Sequence, residues 1–479
     1  MWSLKSSAVA LSVLVTLIAG FPGRPCVASP ITALHCSQTK LQSNPSVAQT
    51  GQPQFATIAL EGDPAPAEIG GRYSKIESSA MSESGPDVAF SADVSGSSIT
   101  SAILLNSSGT TRVILRSGDA TPAGGTFAAF HELDVDDGEY ILFRAELQGV
   151  PASEGVFLWQ SPSSVQTVQL AGDKTNNRYP GFTYKSFSQL TLYSFTNLPG
   201  TPATYAFLAT LEEDQMQAVV WDDLSQQYPT QTVAMSGSPG QFYISAVVPN
   251  SVADSFAVSR LSASIGICLV IEGHQIGKSS EFSIPVFISD TLGEMLTWDP
   301  TLTQRLHTGA GKLIKLETPA STSVGELTYA LGQFVKQGRS GKAIVVDQLN
   351  QFGVLGPTVI LQTGERFPAL NHDKIEDLSV PVVNRGSFGV RTPDGLVATV
   401  QLSDGRKALW VGVLTIGVPR INVDSKLALL GGATNDTTQT VLSSFNPVRL
   451  SNTGTLLLSG AVGGAANPRN GIFLLSGLF

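Results

Sequence analysis

Four acids each follow a turn glycine and are the residues best placed to act together. They are Asp63, Asp119, Asp173 and Glu365, in ALEGDPAP, LRSGDATP, QLAGDKTN and LQTGERFP. Carboxylates that recur at one point of a repeated unit share one height if the units stand round an axis. There Asp63, Asp119 and Asp173 could gather Ca²⁺, a hard cation that takes about six to eight oxygen ligands. They could equally meet sugar hydroxyls. Gly-Asp is also good turn chemistry in its own right, the Asp accepting from neighbouring backbone N–H groups. Three further units carry Ser238, Ala310 and Ala433 in this place, so the acids do not complete a ring. No cofactor other than calcium is expected.

Other chemistry leaves little trace. The chain contains no HExxH, CxxC or GxSxG. His35, His131, His274, His307 and His372 are scattered without ligand or triad spacing. Gly273 to Ser279 (GHQIGKS) has three residues between its glycines where a phosphate-binding loop has four, and no helix follows it. A glycosidase needs two carboxylates about 5–10 Å apart, and no pair is singled out. The balance is toward a non-catalytic chain.

The elements that must position these residues recur along the chain. An apolar run ends in a glycine turn at Gly62, Gly118, Gly172, Gly237, Gly309, Gly364 and Gly432, 54 to 72 residues apart. Between successive turns lie further runs of 4 to 9 residues, rich in β-branched and aromatic types. Examples are EYILFRAEL (139–147), GVFLW (155–159), GLVATVQL (395–402) and GIFLL (471–475). Such lengths and compositions suit strands. Constant order with variable spacing is what loop insertions between fixed strands produce. The expected fold is all-β: a seven-bladed β-propeller-like ring of four-stranded antiparallel blades. A solenoid or stacked sandwiches are the alternatives. If the ring closes, ATIAL (56–60) and GIFLL (471–475) must lie side by side. Trp159, Trp221, Trp298 and Trp410 fall on the last strand of their units, which argues for packing between blades. The stretch His274–Ser283 reads as a loop insertion. Arg178, Tyr179, Tyr184, Lys278 and Arg366 are candidates for loop-face contacts.

The unit resembles the NxxGxxAF tandem-repeat family of secreted bacterial proteins. SESGPDVAF (82–90), TPDGLVAT (392–399) and SNTGTLLL (451–458) carry the central motif with its Asn replaced. Gly155-Val156-Phe157 and Gly471-Ile472-Phe473 carry the last strand. The resemblance spans about residues 56–475. It implies secretion and β-propeller-like repeats, and no particular activity.

Residues 1–28 read as a signal peptide. Lys5 precedes the apolar run Ala8–Gly20, too short to span a bilayer, and Cys26-Val27-Ala28 supplies small residues for cleavage. Residues 29–54 form a flexible leader and 55–479 the repeat domain. The formal net charge is −9, and losing Lys5 and Arg24 makes it more negative. Such a chain disfavours nucleic acid, and no later segment is a transmembrane candidate. Cys36 and Cys268 remain; in an oxidising compartment they could pair or stay separate. The expected role is a secreted, periplasmic or cell-surface protein that binds an envelope protein or polysaccharide through propeller loops. The alternatives are a propeller-fold glycan hydrolase or lyase, and a structural surface component.

Overall fold

Each apolar run is a strand because both of its faces are buried, which is why it reads as nearly continuous rather than alternating. In the strand Val88–Ser95, Phe90 faces one neighbouring sheet and Ala89 the other, and both are fully buried. The computed structural model describes residues 54–136, 140–175, 180–193, 204–213, 216–223, 231–237, 251–258, 266–277, 281–289, 293–296, 307–308, 311–321, 327–348, 358–366, 373–384, 394–417, 420–429, 434–435, 440–463 and 468–478, less Ser84. The expected signal peptide and the Cys36 half of the suggested disulfide fall outside them.

Seven antiparallel sheets follow one another among the described residues. The first runs Arg72–Met81, Val88–Ser95, Ser101–Ser107, Thr110–Arg116, and the second Thr126–Asp136, Tyr140–Gln148, Glu154–Gln160, Ser164–Leu170. The third runs Tyr184–Tyr193, Thr204–Leu211, Gln217–Asp223, Gln231–Met235, and the fourth Ser251–Val258, Gly266–Gln275, Glu281–Ser289, Gly293–Leu296. The fifth is Gly311–Ser321, Leu327–Lys336, Arg339–Gln348 and Thr358–Gln362, with the short His307–Thr308 beside the first of these. In the sixth, Ile375–Leu378 and Val382–Val383 both pair with Asp394–Leu402, followed by Lys407–Gly417 and Arg420–Leu429. The seventh comprises Thr440–Leu450, Leu456–Val462 and Arg469–Ser476, extended by Thr434–Asn435 on one side and by Gln54–Leu60 on the other.

Each sheet packs on the next and the seventh packs on the first, so the array is a closed β-propeller. The closing strand is the N-terminal one. Gln54–Leu60 pairs antiparallel with Arg469–Ser476, with Ala56 opposite Leu474 and Leu60 opposite Gly471. The two segments expected to meet therefore do so, and the N-terminal strand becomes the outer strand of the last sheet. The buried clusters lie between sheets. One joins Ile103 and Leu105 of the first to Phe127, Phe130, Phe143, Phe157 and Trp159 of the second. Its four phenylalanine rings sit 5.1–5.9 Å apart, mostly edge to face. Such pairs add roughly 0.5–1.5 kcal/mol each beyond their buried area. Trp159 and Trp410 are buried in clusters of this kind, as expected, and Trp221 is half-buried.

Three readings need correction. A sequence unit is not one blade: the strand before the turn glycine is in most units the outer strand of the preceding sheet, as VILR before Gly118 shows, whereas His307–Thr308 before Gly309 pairs within the fifth sheet. In most units the glycine turn is thus a crossover between blades. In the fourth unit, Glu281–Ser289 is the third strand and Gly293–Leu296 the outer one, so His274–Ser283 is mostly a hairpin in which His274 pairs with Glu281. Tyr184 is a buried inner-strand residue, not a loop residue, and its hydroxyl meets that of Thr232 at 2.7 Å. Burial raises its phenol pKa.

Candidate functional site

The first strand of every sheet slips register against the second at a corresponding place, after Tyr73, Phe127, Tyr184, Ala253, Leu313, Ile375 and Leu442. These slips are bulges, which bend a strand and re-aim its side chains. They also give a common ruler for the seven inner strands. Five residues past the mark stand Ser78, Glu132 and Gln189. Each reaches the inner strand of the next sheet. Ser78 Oγ accepts from Leu133 N at 3.4 Å, and the Glu132 carboxylate accepts from Gln189 N and Leu190 N at 2.9 and 2.8 Å. Gln189 Oε1 accepts from Val258 N at 2.7 Å. Gln189 itself has a φ of 53°, a left-handed conformation that costs a non-glycine residue energy and persists where its surroundings fix it. Burial raises the Glu132 pKa, and the amides of Leu190 and Gln189 oppose the rise.

A second set of latches lies further from the axis. The opening residues of three third strands, Ser101, Glu154 and Gln217, accept from the backbone N of Phe130, Phe187 and Phe256 at 3.2, 2.9 and 2.8 Å. Side chains of one blade thus satisfy the amides that the bulges of the next release from pairing.

Seven residues past the mark stand Ala80, Asp134, Thr191 and Arg449. Here the wall carries charge. Arg449 is 2% exposed. Its Nη1 donates to Asp134 Oδ1 and, at 3.0 Å, to the carbonyl of Val135. Asp134 Oδ1 also takes the Val135 N–H at 3.0 Å, and Oδ2 takes that of Leu192 at 2.9 Å. Glu83 Oε1 lies 3.7 Å from Arg449 Nη2, and Asn452 N donates to the Glu83 carbonyl at 2.8 Å. The guanidinium of the seventh sheet therefore reaches the hairpin of the first and the inner strand of the second. Its Nε and Nη2 have no hydrogen-bond acceptor.

These residues border a cavity of about 370 Å³, lined by Ser79, Ala80, Leu133, Asp134, Gln189, Leu190, Thr191, Val258, Val448 and Arg449. All belong to inner strands, from five of the seven sheets, so the cavity lies on the axis. Sequence reasoning missed it. The available signal lay in the sequence: counting seven residues past each mark gives Asp134, Arg260 and Arg449 beside Ala80, Thr191, Ala320 and Val382.

The acids expected to form the site lie at the other end of these strands, before the mark. Seven residues of strand at about 3.3 Å each put them roughly 20 Å from the charged pair. Each sits in its own crossover turn. The N–H groups of Asp63, Asp119, Asp173 and Glu365 donate to Leu60, Arg116, Leu170 and Gln362, and their carbonyls accept from Tyr73, Phe127, Tyr184 and Ile375. Asp119 Oδ2 accepts from Arg116 N at 2.8 Å, and Asp173 Oδ2 from Leu170 N at 3.1 Å. Asp63 Oδ1 accepts from the Arg469 guanidinium. Burial raises the Glu365 pKa to about 7, against the pull of the Gln362 amide. Among the described residues the structure gathers no three His, Cys, Asp or Glu side chains in a metal-holding group.

A family of unknown function (DUF7453) matches residues 34–241. No curated protein matches the chain. The chain is similar to several solved structures at low identity. The Dos1 propeller shares 7% identity at a TM-score of 0.34, covering 88% of this chain and 94% of that one. Prolyl oligopeptidase B from Galerina marginata shares 10% at 0.40, covering 87% of this chain and 56% of that one, so this chain spans little more than half its length. The GH93 alpha-L-arabinofuranosidase of Fusarium graminearum shares 9% at 0.35, covering 70% and 89%.

Proposed function

We propose that the chain is an exported binding module of a bacterial envelope, its seven sheets acting as seven blades, and that it holds its ligand without turning it over. One observation carries the reading: a cavity walled by inner strands of five sheets, with a buried ion pair in its wall. Its size lies in the range of small-molecule sites, about 300–1,000 Å³. The carboxylate in that wall, Asp134, is engaged by two backbone amides and a guanidinium, which suits it to holding the wall rather than to moving protons. Export is supported by the apolar run Ala8–Gly20 and by the resemblance of SESGPDVAF and SNTGTLLL to a secreted tandem-repeat family. Partners reach the module as envelope glycans or proteins.

The test is a thermal-shift panel on the purified protein with EDTA, Ca²⁺ and envelope polysaccharides, read alongside release of reducing ends. A ligand that binds only the folded state raises Tm by mass action. A rise with a glycan and no new reducing ends is the expected result. Turnover abolished by a single carboxylate change overturns the binding reading in favour of a hydrolase or lyase. A rise with Ca²⁺ that disappears in Asp63→Asn or Asp119→Asn moves the site to the crossover turns.

A further inference from the structure

Away from the axis, charge is divided unevenly round the ring. Residues 55–300, which hold the first four sheets, carry 27 acids and 10 bases. Residues 301–479, which hold the last three but for the N-terminal strand, carry 11 acids and 16 bases. A chain that is acidic as a whole therefore has a basic sector. We infer that this sector, on the crossover face of the fifth and sixth sheets, binds a linear acidic polysaccharide whose carboxylates lie along its bases. The surface is separate from the axial cavity.

Three segments form it, and hydrogen bonds join them into one edge. The tip Lys336–Arg339 links the second and third strands of the fifth sheet, and Leu402–Lys407 links Asp394–Leu402 to Lys407–Gly417 in the sixth. The two ends of the crossover between these sheets are tied to both. Thr363 N donates to the Lys342 carbonyl at 2.9 Å, and Ser403 N to that of Lys374 at 2.9 Å. Arg366 pairs with Lys374 across the turn. Arg339, Arg366, Lys374 and Lys407 are exposed, and no ion pair with a described residue engages their side chains. Most acids of the edge are already matched. Asp373 and Asp404 hold Arg406, and Asp377 holds Lys342 at 2.9 Å. Of the others described there, Glu376 is exposed and Glu365 is half-buried. Burial raises the Glu365 pKa to about 7, so that acid is only partly charged at neutral pH.

The rest of the same face decides the form of the partner. On the first three sheets it carries Glu61, Asp63, Asp119, Asp173 and Glu212, all at least partly exposed. A planar anionic surface, such as a bilayer, would press on these acids as it met the bases. A linear chain can follow the two basic tips and the crossover alone. The planar forks of Arg339 and Arg366 match a uronate carboxylate with two donors, and the lysines add point charges. Exposed ion pairs are individually weak, so the affinity comes from their repetition along one polymer.

The experiment titrates the purified full chain with polygalacturonate, dextran and phosphatidylglycerol vesicles. Polygalacturonate should bind, and its Kd should weaken about tenfold or more between about 50 and 300 mM salt, because exposed pairs are screened. Dextran and the vesicles should not bind. Arg339→Glu combined with Lys407→Glu should weaken the polygalacturonate Kd about tenfold or more and leave Tm close to that of the parent, since neither side chain is buried or paired. Lys185→Glu, which reverses an exposed base on the acidic side of the ring, should leave Kd unchanged. Three results overturn the inference: no binding of polygalacturonate at low salt, an unchanged Kd in the double variant, or an equal loss in Lys185→Glu, which would make net charge and not the sector responsible. Vesicle binding that is lost in the double variant overturns it in favour of a membrane surface.

Discussion

Arg449 shows how a single buried residue can be both costly and useful. Its guanidinium is hydrogen-bonded through Nη1 to Asp134 and the Val135 carbonyl, its Nη2 stands 3.7 Å from Glu83 without a hydrogen bond, and it ties the seventh sheet to the first and second. Removing one member of a buried pair strands the other. Arg449→Met should therefore lower unfolding stability by about 3–5 kcal/mol. The double variant Arg449→Met with Asp134→Asn should recover part of the loss, since the stranded charge is gone. Denaturant midpoints of the two singles and the double, read as a cycle, check this; additive losses would mean that the pair is not coupled. Glu365 offers a test in pH. Burial raises its pKa from 4.5 to about 7, so the fold favours the protonated acid. The stability it contributes is whole below pH 4.5 and is lost as pH rises through about 7. Glu365→Gln keeps the neutral form at every pH. It should match the parent at pH 4 and exceed it at pH 8 by on the order of 1–2 kcal/mol, since the carboxyl is partly solvated. A gain that did not change with pH would assign the effect to something other than this ionisation.

Among the elements, the glycine-led third strands have one physical cause. In Gly155-Val156-Phe157, a side chain at Gly155 would meet Leu170 Cδ2 at 2.7 Å, the Gln169 carbonyl at 3.0 Å and the Phe157 ring at 3.0 Å. In Gly471-Ile472-Phe473 the same three kinds of atom come from Leu60, Ala59 and Phe473. The outer strand and the ring two residues on close over the glycine, leaving room only for hydrogen. Gly471→Ala pushes against a backbone carbonyl and should cost about 1–3 kcal/mol in a thermal melt. The exposed Gly405 has nothing near it, but its φ of 84° would still strain an alanine, so it serves as a control for conformational cost without crowding. Strand content was legible from the chain because burial on both faces writes unbroken apolar runs. The turn glycines were legible too: Gly62, Gly118, Gly172, Gly237 and Gly364 all have positive φ, which selects glycine. Blade membership was not. A crossover such as Leu115–Phe127 and a hairpin such as Met81–Val88 use the same turn residues, and only hydrogen-bond pairing tells them apart. The axial pair was hidden for a related reason: Asp134 and Arg449 stand 315 residues apart, and only the shared bulge brings them level.

For the molecule as a whole, closure of the ring is the property on which the axial site depends, because the cavity draws its wall from the seventh sheet as well as the first four. That closure rests on Gln54–Leu60, seven residues from the opposite end of the chain. Phe55 stacks on Phe473 at 5.2 Å, Ala59 is buried between the seventh and first sheets, and Leu60 packs beside the final strand. Without them Arg469–Ser476 becomes an open edge carrying unpaired amides and the exposed face of Phe473. Deleting residues 1–60 should lower Tm by roughly 5–10 °C, the loss expected from a few buried apolar side chains in a domain of this size. The freed edge should also recruit other copies, so light scattering should grow with concentration where the intact chain stays constant. A synthetic peptide of sequence QFATIAL, added in excess, should occupy the edge, reverse the association and restore part of the melting temperature. If the shortened chain were monomeric and melted with the parent, the strand would be an ornament on a ring already closed by its inner-strand latches. Those latches act between neighbours at the axis, whereas Gln54–Leu60 pairs only with Arg469–Ser476 at the outer edge of the seventh sheet, so the peptide should raise the melting temperature of the shortened chain but not that of a full chain carrying Arg449→Met.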